Sequence, residues 1–281
     1  MDVRRAAFSG SWYPDSSAEC ETDIQRYIKN ADQPESACVG GIVPHAGWYF
    51  SGEIACRVIH GLSYGPAPDV VVVFGMHLHP ESRPYIMTEG AWETPFGNLP
   101  IETDVARQLT SSFDFEVETA RRHTQDNTIE LQLPFIKYFF KEIKVVPVGL
   151  PPAASSLDIG AAVVDIISDL GLNARVIGST DLTHYGFNYG YTPRGSGSSA
   201  VEWVTTDNDR RVVDAMLAMD PEAVIREGLT HQNACCAGAA ASAVAASKAM
   251  GATRAEELAY ATSYDKHPSD SFVGYTGILF S

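Results

Sequence analysis

Basic residues are scarce. The 281-residue chain carries 20 Lys and Arg against 35 Asp and Glu, a formal net charge of −15. Nucleic acids and anionic membranes are recognised through a basic footprint, so neither is expected as a partner. Long apolar runs are also missing: no stretch approaches the roughly 18 to 20 residues that a membrane-spanning helix needs. The opening segment MDVRRAAFSGSWYP has no apolar core of the secretory kind, and a cytoplasmic location is the expectation. Five cysteines, at 20, 38, 56, 235 and 236, are an odd number without a disulfide spacing. That usage fits a reducing compartment, where a cysteine of interest is a ligand or nucleophile. Several sequence signatures are absent too: GxGxxG after a strand, GxxxxGK[ST], GxSxG, HExxH and CxxC. A nucleotide enzyme and a serine hydrolase therefore have little support.

What is present is an alternation. VGGIVP (39–44), VVVVFG (70–75), VVPVGL (145–150), ARVIGS (174–179), LAYATS (258–263) and YTGILF (275–280) are short apolar runs, most of them rich in Val or Ile. Such runs fit strands buried on both faces. Helical patterns separate them. SSAECETDIQRYIKN (16–30) opens on a serine cap. TIELQLPFIKYFF (128–140) puts Ile129, Leu133, Ile136 and Phe140 on one face, with Pro134 as a start or kink. SSLDIGAAVVDIISDL (155–170) and the small-residue stretch ACCAGAAASAVAASKAM (234–250) continue the series, with two short helices in DNDRRVVDAML and DPEAVIREG before the latter. TPRGSGSSA (192–200) reads as a surface loop. The pattern predicts an α/β fold with a mostly parallel sheet, in one domain over residues 1–281.

In an open parallel sheet, ligands bind beyond the carboxyl ends of the strands. His45 follows the first strand, His77 and His79 follow the second, and Asp181 and His184 follow ARVIGS. His231 and Cys235 lie where a loop enters the small-residue helix. Separate segments thus deliver imidazole, thiol and carboxylate to one rim, which suits a metal site. His60, His123 and His267 follow no strong strand and are read as ordinary structural histidines.

FSGSWYP (8–14), IVPHAGWYFSG (42–52), TPFGNLPIETD (94–104), NTIELQLPF (127–135), STDLTHYG (179–186) and HQNACCAG (231–238) stand in the order seen in the Memo family, whose prokaryotic members are called AmmeMemoRadiSam system protein B. The resemblance runs from Phe8 to the C-terminus. It implies a three-layer fold with helices on both faces of the sheet, similar to the class III (LigB-like) extradiol dioxygenases, which are non-haem iron enzymes. It also implies a metal site from two histidines and a cysteine: His45, then His77 with His79 as the alternative, and Cys235 with Cys236 adjacent. GMHLH departs from the family's usual GPSHH or GPNH, which is why the second histidine is open. Asn127 stands where many relatives have histidine, and Glu130 keeps the acidic position. His184 matches the catalytic histidine of the related dioxygenases, as general acid or base, with Asp181 holding its tautomer. Trp12, Tyr13, Trp48 and Tyr49 are candidate pocket walls, with Glu130 as a polar contact.

The donor set admits iron, copper or zinc. Two functions follow from the resemblance: a metal-dependent redox enzyme linked to radical-SAM and AMMECR-type proteins, or a module binding a small molecule or peptide.

Overall fold

A computed structural model describes residues 1–31 and 33–281. Nine strands form the main sheet: β1 (Gly40–Val43), β2 (Val70–Gly75), β3 (Tyr85–Met87), β4 (Glu116–Glu118), β5 (Lys144–Gly149), β6 (Ala174–Ser179), β7 (His184–Tyr185), β8 (Ala255–Thr262) and β9 (Phe272–Phe280). The path across the sheet is β7-β9-β1-β6-β2-β5-β3-β4, with β8 also paired to β9. The four central strands β1, β6, β2 and β5 are mutually parallel. They are also the apolar runs most evident in the sequence, and Val70 to Phe74 are wholly buried. The flanks are antiparallel: β9 runs against β1, β8 against β9 and β3 against β5. Only residues 263–271, opening with a helical turn at Ser263–Lys266, separate β8 from β9. That is too short for a parallel crossover, so the last two strands form a hairpin.

Helices cover both faces. On one side lie α1 (Ser17–Ile28), α2 (Glu53–Leu62) and α4 (Leu133–Phe140); on the other lie α5 (Ala154–Asp169), α7 (Pro221–His231) and α8 (Ala237–Ala249), with α3 (Thr103–Ser112) against α5 and α6 (Asp209–Leu217) against α7. The expected three-layer α/β architecture is therefore present. The alanine-rich α8 lies close on the sheet: a Cβ at Gly178 of β6 would come within 2.7 Å of Ala243 Cβ. Small residues on both partners permit that approach.

Three sequence expectations shift in detail. The helix expected over 128–140 is split into a single turn, Asn127–Glu130, and α4. Pro134 has no N–H to bond Glu130, so it sits in the first turn of a new helix. The helix expected from 234 starts at Ala237, which leaves both cysteines in the preceding loop. The loop at 192–200 already turns helical at Ser198. The helices α2 and α3 lie outside the sequence expectation. Among the described residues, no helix is long and apolar enough to cross a membrane.

Candidate metal centre

The carboxyl ends of β1, β2 and β6 lie side by side, and each continues into a polar loop. From β1 the chain reaches His45, which is 2% exposed. From β2 it turns sharply through Met76, whose φ is 71°. A methionine in the left-handed region is uncommon and is held there by its surroundings. Its N–H donates to Thr128 Oγ1 at 2.7 Å. Gly75 makes room for this: a Cβ there would lie 2.3 Å from the same Thr128 oxygen. The turn sends His77 back over the strand ends. Nε2 of His77 lies 3.2 Å from Nε2 of His45. His79 points away; it is exposed, and its Nδ1 accepts from the Glu81 N–H at 3.3 Å. Geometry therefore selects residue 77 of the two.

Cys235 arrives from the loop before α8. Its Sγ is 3.3 Å from His45 Nε2. It also accepts from the Asp181 N–H at 3.3 Å, while the Cys235 N–H donates to the Asp181 carbonyl at 3.1 Å. Cys236 follows with its Sγ 3.9 Å from that of Cys235. One donor atom from each of His45, His77, Cys235 and Cys236 lies within 4.8 Å of all the others.

The hydrogen bonds behind His45 fix which nitrogen is free. Ser179 Oγ donates its one proton to the Thr128 carbonyl at 2.7 Å. Toward His45 Nδ1, 3.0 Å away, it must therefore accept. Nδ1 carries the hydrogen and Nε2 faces the cluster as a bare donor, as metal-ligating histidines are arranged. Burial works against a charged His45 ring, but Asp181 and Cys235 outweigh it and raise its pKa to about 9. Burial would likewise push the Cys235 thiol up; the Cys236 thiol hydrogen and the charge on His45 prevail and hold it well below the usual range, while Cys236 is driven well above it. One deprotonated sulfur and two imidazoles fit a borderline or soft metal ion.

Asp181 and His184 lie beside this cluster, in a different relation from the one expected. Asp181 Oδ1 accepts from the His45 N–H at 2.7 Å. Its Oδ2 is 3.8 Å from both His45 Nε2 and His184 Nε2. The tautomer-fixing hydrogen bond that His184 would donate to Asp181 is not formed at 3.8 Å; His184 Nε2 is buried without a partner. Burial opposes charge on His184 too, yet Asp181 and Cys235 raise it to about 10. At neutral pH this ring holds a proton.

A cleft of about 700 Å³ opens over His45 and His77. Trp12, 42% exposed, and Tyr49, 66% exposed, stand at its wall with Tyr189 and His184. Tyr49 is placed there by a π-helical turn, Trp48–Gly52, that leads into α2. Tyr13, Trp48 and Glu130 do not line this cleft, which corrects the sequence expectation. Trp48 stacks on Phe135 with ring centroids 4.0 Å apart, and Tyr13 packs against it from 5.6 Å. Glu130, buried, accepts from the N–H groups of Ala7 and Phe8 at 2.9 and 2.7 Å and from the Tyr13 hydroxyl at 3.2 Å. These three residues anchor the N-terminal segment that presents Trp12. Asn127 does line the cleft and donates to the His45 carbonyl at 3.1 Å. His231 is not in the cluster: its Nε2 faces Glu227, one turn back along α7, at 3.7 Å. His267, read from sequence as structural, lines the cleft.

A second group has no signal in the strand pattern. Asp209, fully buried, accepts from the Thr183 N–H at 3.0 Å, from the Thr183 hydroxyl and from the Tyr260 hydroxyl at 2.7 Å. Asn208, also fully buried, donates to Thr183 Oγ1 at 2.9 Å and to the His231 carbonyl at 3.2 Å, and its own carbonyl accepts from Asn233 at 2.8 Å. The network ties the Asp181–His184 loop to the loop that carries Cys235. Two consecutive residues face inward because a π-helical turn, Val204–Asn208, precedes α6. Such turns re-aim side chains and recur at functional sites.

Comparison with known proteins identifies the family. The family model described as Memo-like protein matches residues 4–279. A MEMO1 family protein of Pyrococcus furiosus is 31% identical, over 99% of this chain and 98% of its own length. A MEMO1 family protein of Methanopyrus kandleri is 33% identical, with 99% and 98% covered. Among solved structures, an uncharacterized protein of Escherichia coli K12 superposes with a TM-score of 0.55 at 11% identity, over 86% of this chain and 99% of that one, a likeness of fold. With nearly the full length matched by the family model and by relatives of this identity, the chain belongs to the Memo family.

Proposed function

We propose that the protein is a metal-dependent redox enzyme of oxygenase-like character, with His45, His77 and Cys235 as metal ligands. The supporting observation is the approach of His45 Nε2 to both His77 Nε2, at 3.2 Å, and Cys235 Sγ, at 3.3 Å, with the other nitrogen of His45 committed to Ser179. Two imidazole nitrogens and a sulfur converging at these distances can share one metal ion. Iron or copper is the proposed ion, with zinc admitted by the same donors. When bound, such an ion supplies Lewis acidity and, for iron or copper, electron transfer. The chain's own residues do the rest. Trp12 and Tyr49 form apolar walls for a small-molecule or peptide ligand. His184 holds a proton at the cleft and acts as general acid, or as general base once it has given the proton up. Asp181 favours the proton on His184 and accepts from the His45 backbone N–H. Radical-SAM and AMMECR-type proteins are the proposed functional associates.

A second reading, a non-catalytic peptide-binding module, is favoured by the exposed aromatics at the cleft: Trp12, Tyr49 and Tyr189 are 42%, 66% and 47% exposed. Metal analysis of untagged protein purified without added metal separates the two. The enzyme reading expects about one ion per chain, absent in His45→Ala. Metal-free protein that binds peptide would support the module instead. Oxygen consumption by anaerobically iron-loaded protein with a panel of catechols tests the oxygenase character; no uptake with any of them counts against it.

A further inference from the structure

The two imidazoles and the sulfur of the cluster open on different clefts. His45 and His77 line the wide one, and Cys235 is not among its lining residues. Cys235 lines a second cleft, of about 340 Å³, between the C-terminal end of α7 and the segment 182–191. Tyr191, Gln232 and Ala234 are among its other walls. His184 and Tyr189 belong to both clefts, and their rings lie 5.0 Å apart between centroids. These two rings are walls of both clefts.

The second cleft differs in chemistry as well as in position. Among the described residues, its lining includes no Asp, Glu, Lys or Arg; the polar groups are the Gln232 amide, two tyrosines, His184 and the cysteine. The Tyr191 hydroxyl is already committed to the His231 carbonyl at 2.9 Å. Its charge is limited to His184 and the sulfur, both part of the cluster's surroundings, and a volume of this order holds only a small molecule.

We propose that this cleft is a separate entrance to the Cys235 sulfur, admitting a small molecule that engages sulfur, while a larger ligand occupies the wide cleft over His45 and His77. The site would then receive two ligands from two sides, with His184 and Tyr189 between them. The proposal concerns access to the sulfur and stands whether or not the metal reading does, so it is tested on metal-free protein.

Iodoacetamide is the probe. The deprotonated sulfur attacks the methylene carbon: a C–S bond forms as the C–I bond breaks and iodide leaves. Modification of Cys235 is followed by peptide mass spectrometry. Gln232 is exposed, so its replacement leaves the core intact. The rate is expected to fall in the order Gln232→Ala, wild type, Gln232→Trp, with about tenfold between the extremes, because access limits thiol reaction. Ser269→Trp, on an exposed position in the wall of the wide cleft, is expected to leave the rate unchanged. A rate that responds to Ser269→Trp and not to Gln232 would show that the sulfur is reached through the wide cleft and would overturn the proposal. Absence of Cys235 modification in every variant would overturn it equally.

Discussion

His45 and His77 hang from the ends of two buried parallel strands, whereas Cys235 sits in a loop positioned by side-chain hydrogen bonds. The imidazole half inherits the rigidity of the sheet: β1 and β2 are both paired to β6, and their residues are almost wholly buried. The sulfur half depends on Asp181, whose N–H donates to the Cys235 sulfur and whose carbonyl accepts from the Cys235 N–H, and on the Asp209–Thr183 and Asn208–Asn233 links behind it. One half is fixed by packing that would exist without any site. The other is fixed by polar groups whose burial costs free energy unless every partner is in place. The sulfur side is therefore where small changes should alter the site most without touching a donor.

The comparison can be broken most severely on the imidazole side. His45→Ala removes the donor common to every short distance in the cluster and is expected to weaken metal affinity by about 100-fold or more, beyond the range of second-shell changes. Competition against a chromophoric chelator measures this. Asp209→Ala tests the sulfur side. It strands the Thr183 N–H and the Tyr260 hydroxyl and is expected to cost about 2–3 kcal/mol in urea unfolding. It should also lower metal affinity by about tenfold, although Asp209 touches no donor.

Asp209 carries a pH signature. Burial pushes its carboxyl up to about 6, from 3.8, against the hydrogen bonds from Thr183 and Tyr260. An acid whose folded pKa is raised stabilises the fold fully below the unfolded value and loses that contribution as pH rises through the folded one. The stability of the wild type relative to Asp209→Asn should therefore fall between pH 3.8 and pH 6, by on the order of 2–3 kcal/mol. Urea unfolding at pH 4 and pH 7 reads the difference; a constant gap would remove Asp209 from this role.

Smaller effects sharpen the account. Ser179→Ala removes the acceptor that keeps hydrogen on His45 Nδ1 and should lower metal affinity by about tenfold or somewhat less. A larger loss than in Asp209→Ala would reverse the ranking of the two halves. His79→Ala should leave metal affinity unchanged, since that ring turns outward. Any loss comparable to that of His77→Ala would contradict the assignment of residue 77.

The imidazole half was also the half legible in the sequence. Runs such as VVVVFG and ARVIGS mark buried parallel strands, and the polar residues just past them mark the rim. The choice between His77 and His79 was not legible. Two residues apart, they share a face in any extended chain, and only the left-handed turn at Met76 separates them. Tyr13, Trp48 and Glu130 were misplaced for a related reason: an aromatic or acidic residue in a motif shows no direction, and these three turn inward to hold the N-terminal segment. Asp209 lies in DNDRR, which reads as a solvated helix surface. The π-helical turn before it brings two adjacent polar residues inside, and no regular periodicity encodes that.

Metal-edge anomalous diffraction from crystals of protein purified without added metal tests the central claim most directly. The account predicts one dominant peak among His45 Nε2, His77 Nε2 and Cys235 Sγ, at about 2.0–2.4 Å from each. A peak bound elsewhere, or those three donors bonded only to one another in crystals soaked with iron, copper and zinc in turn, would contradict it.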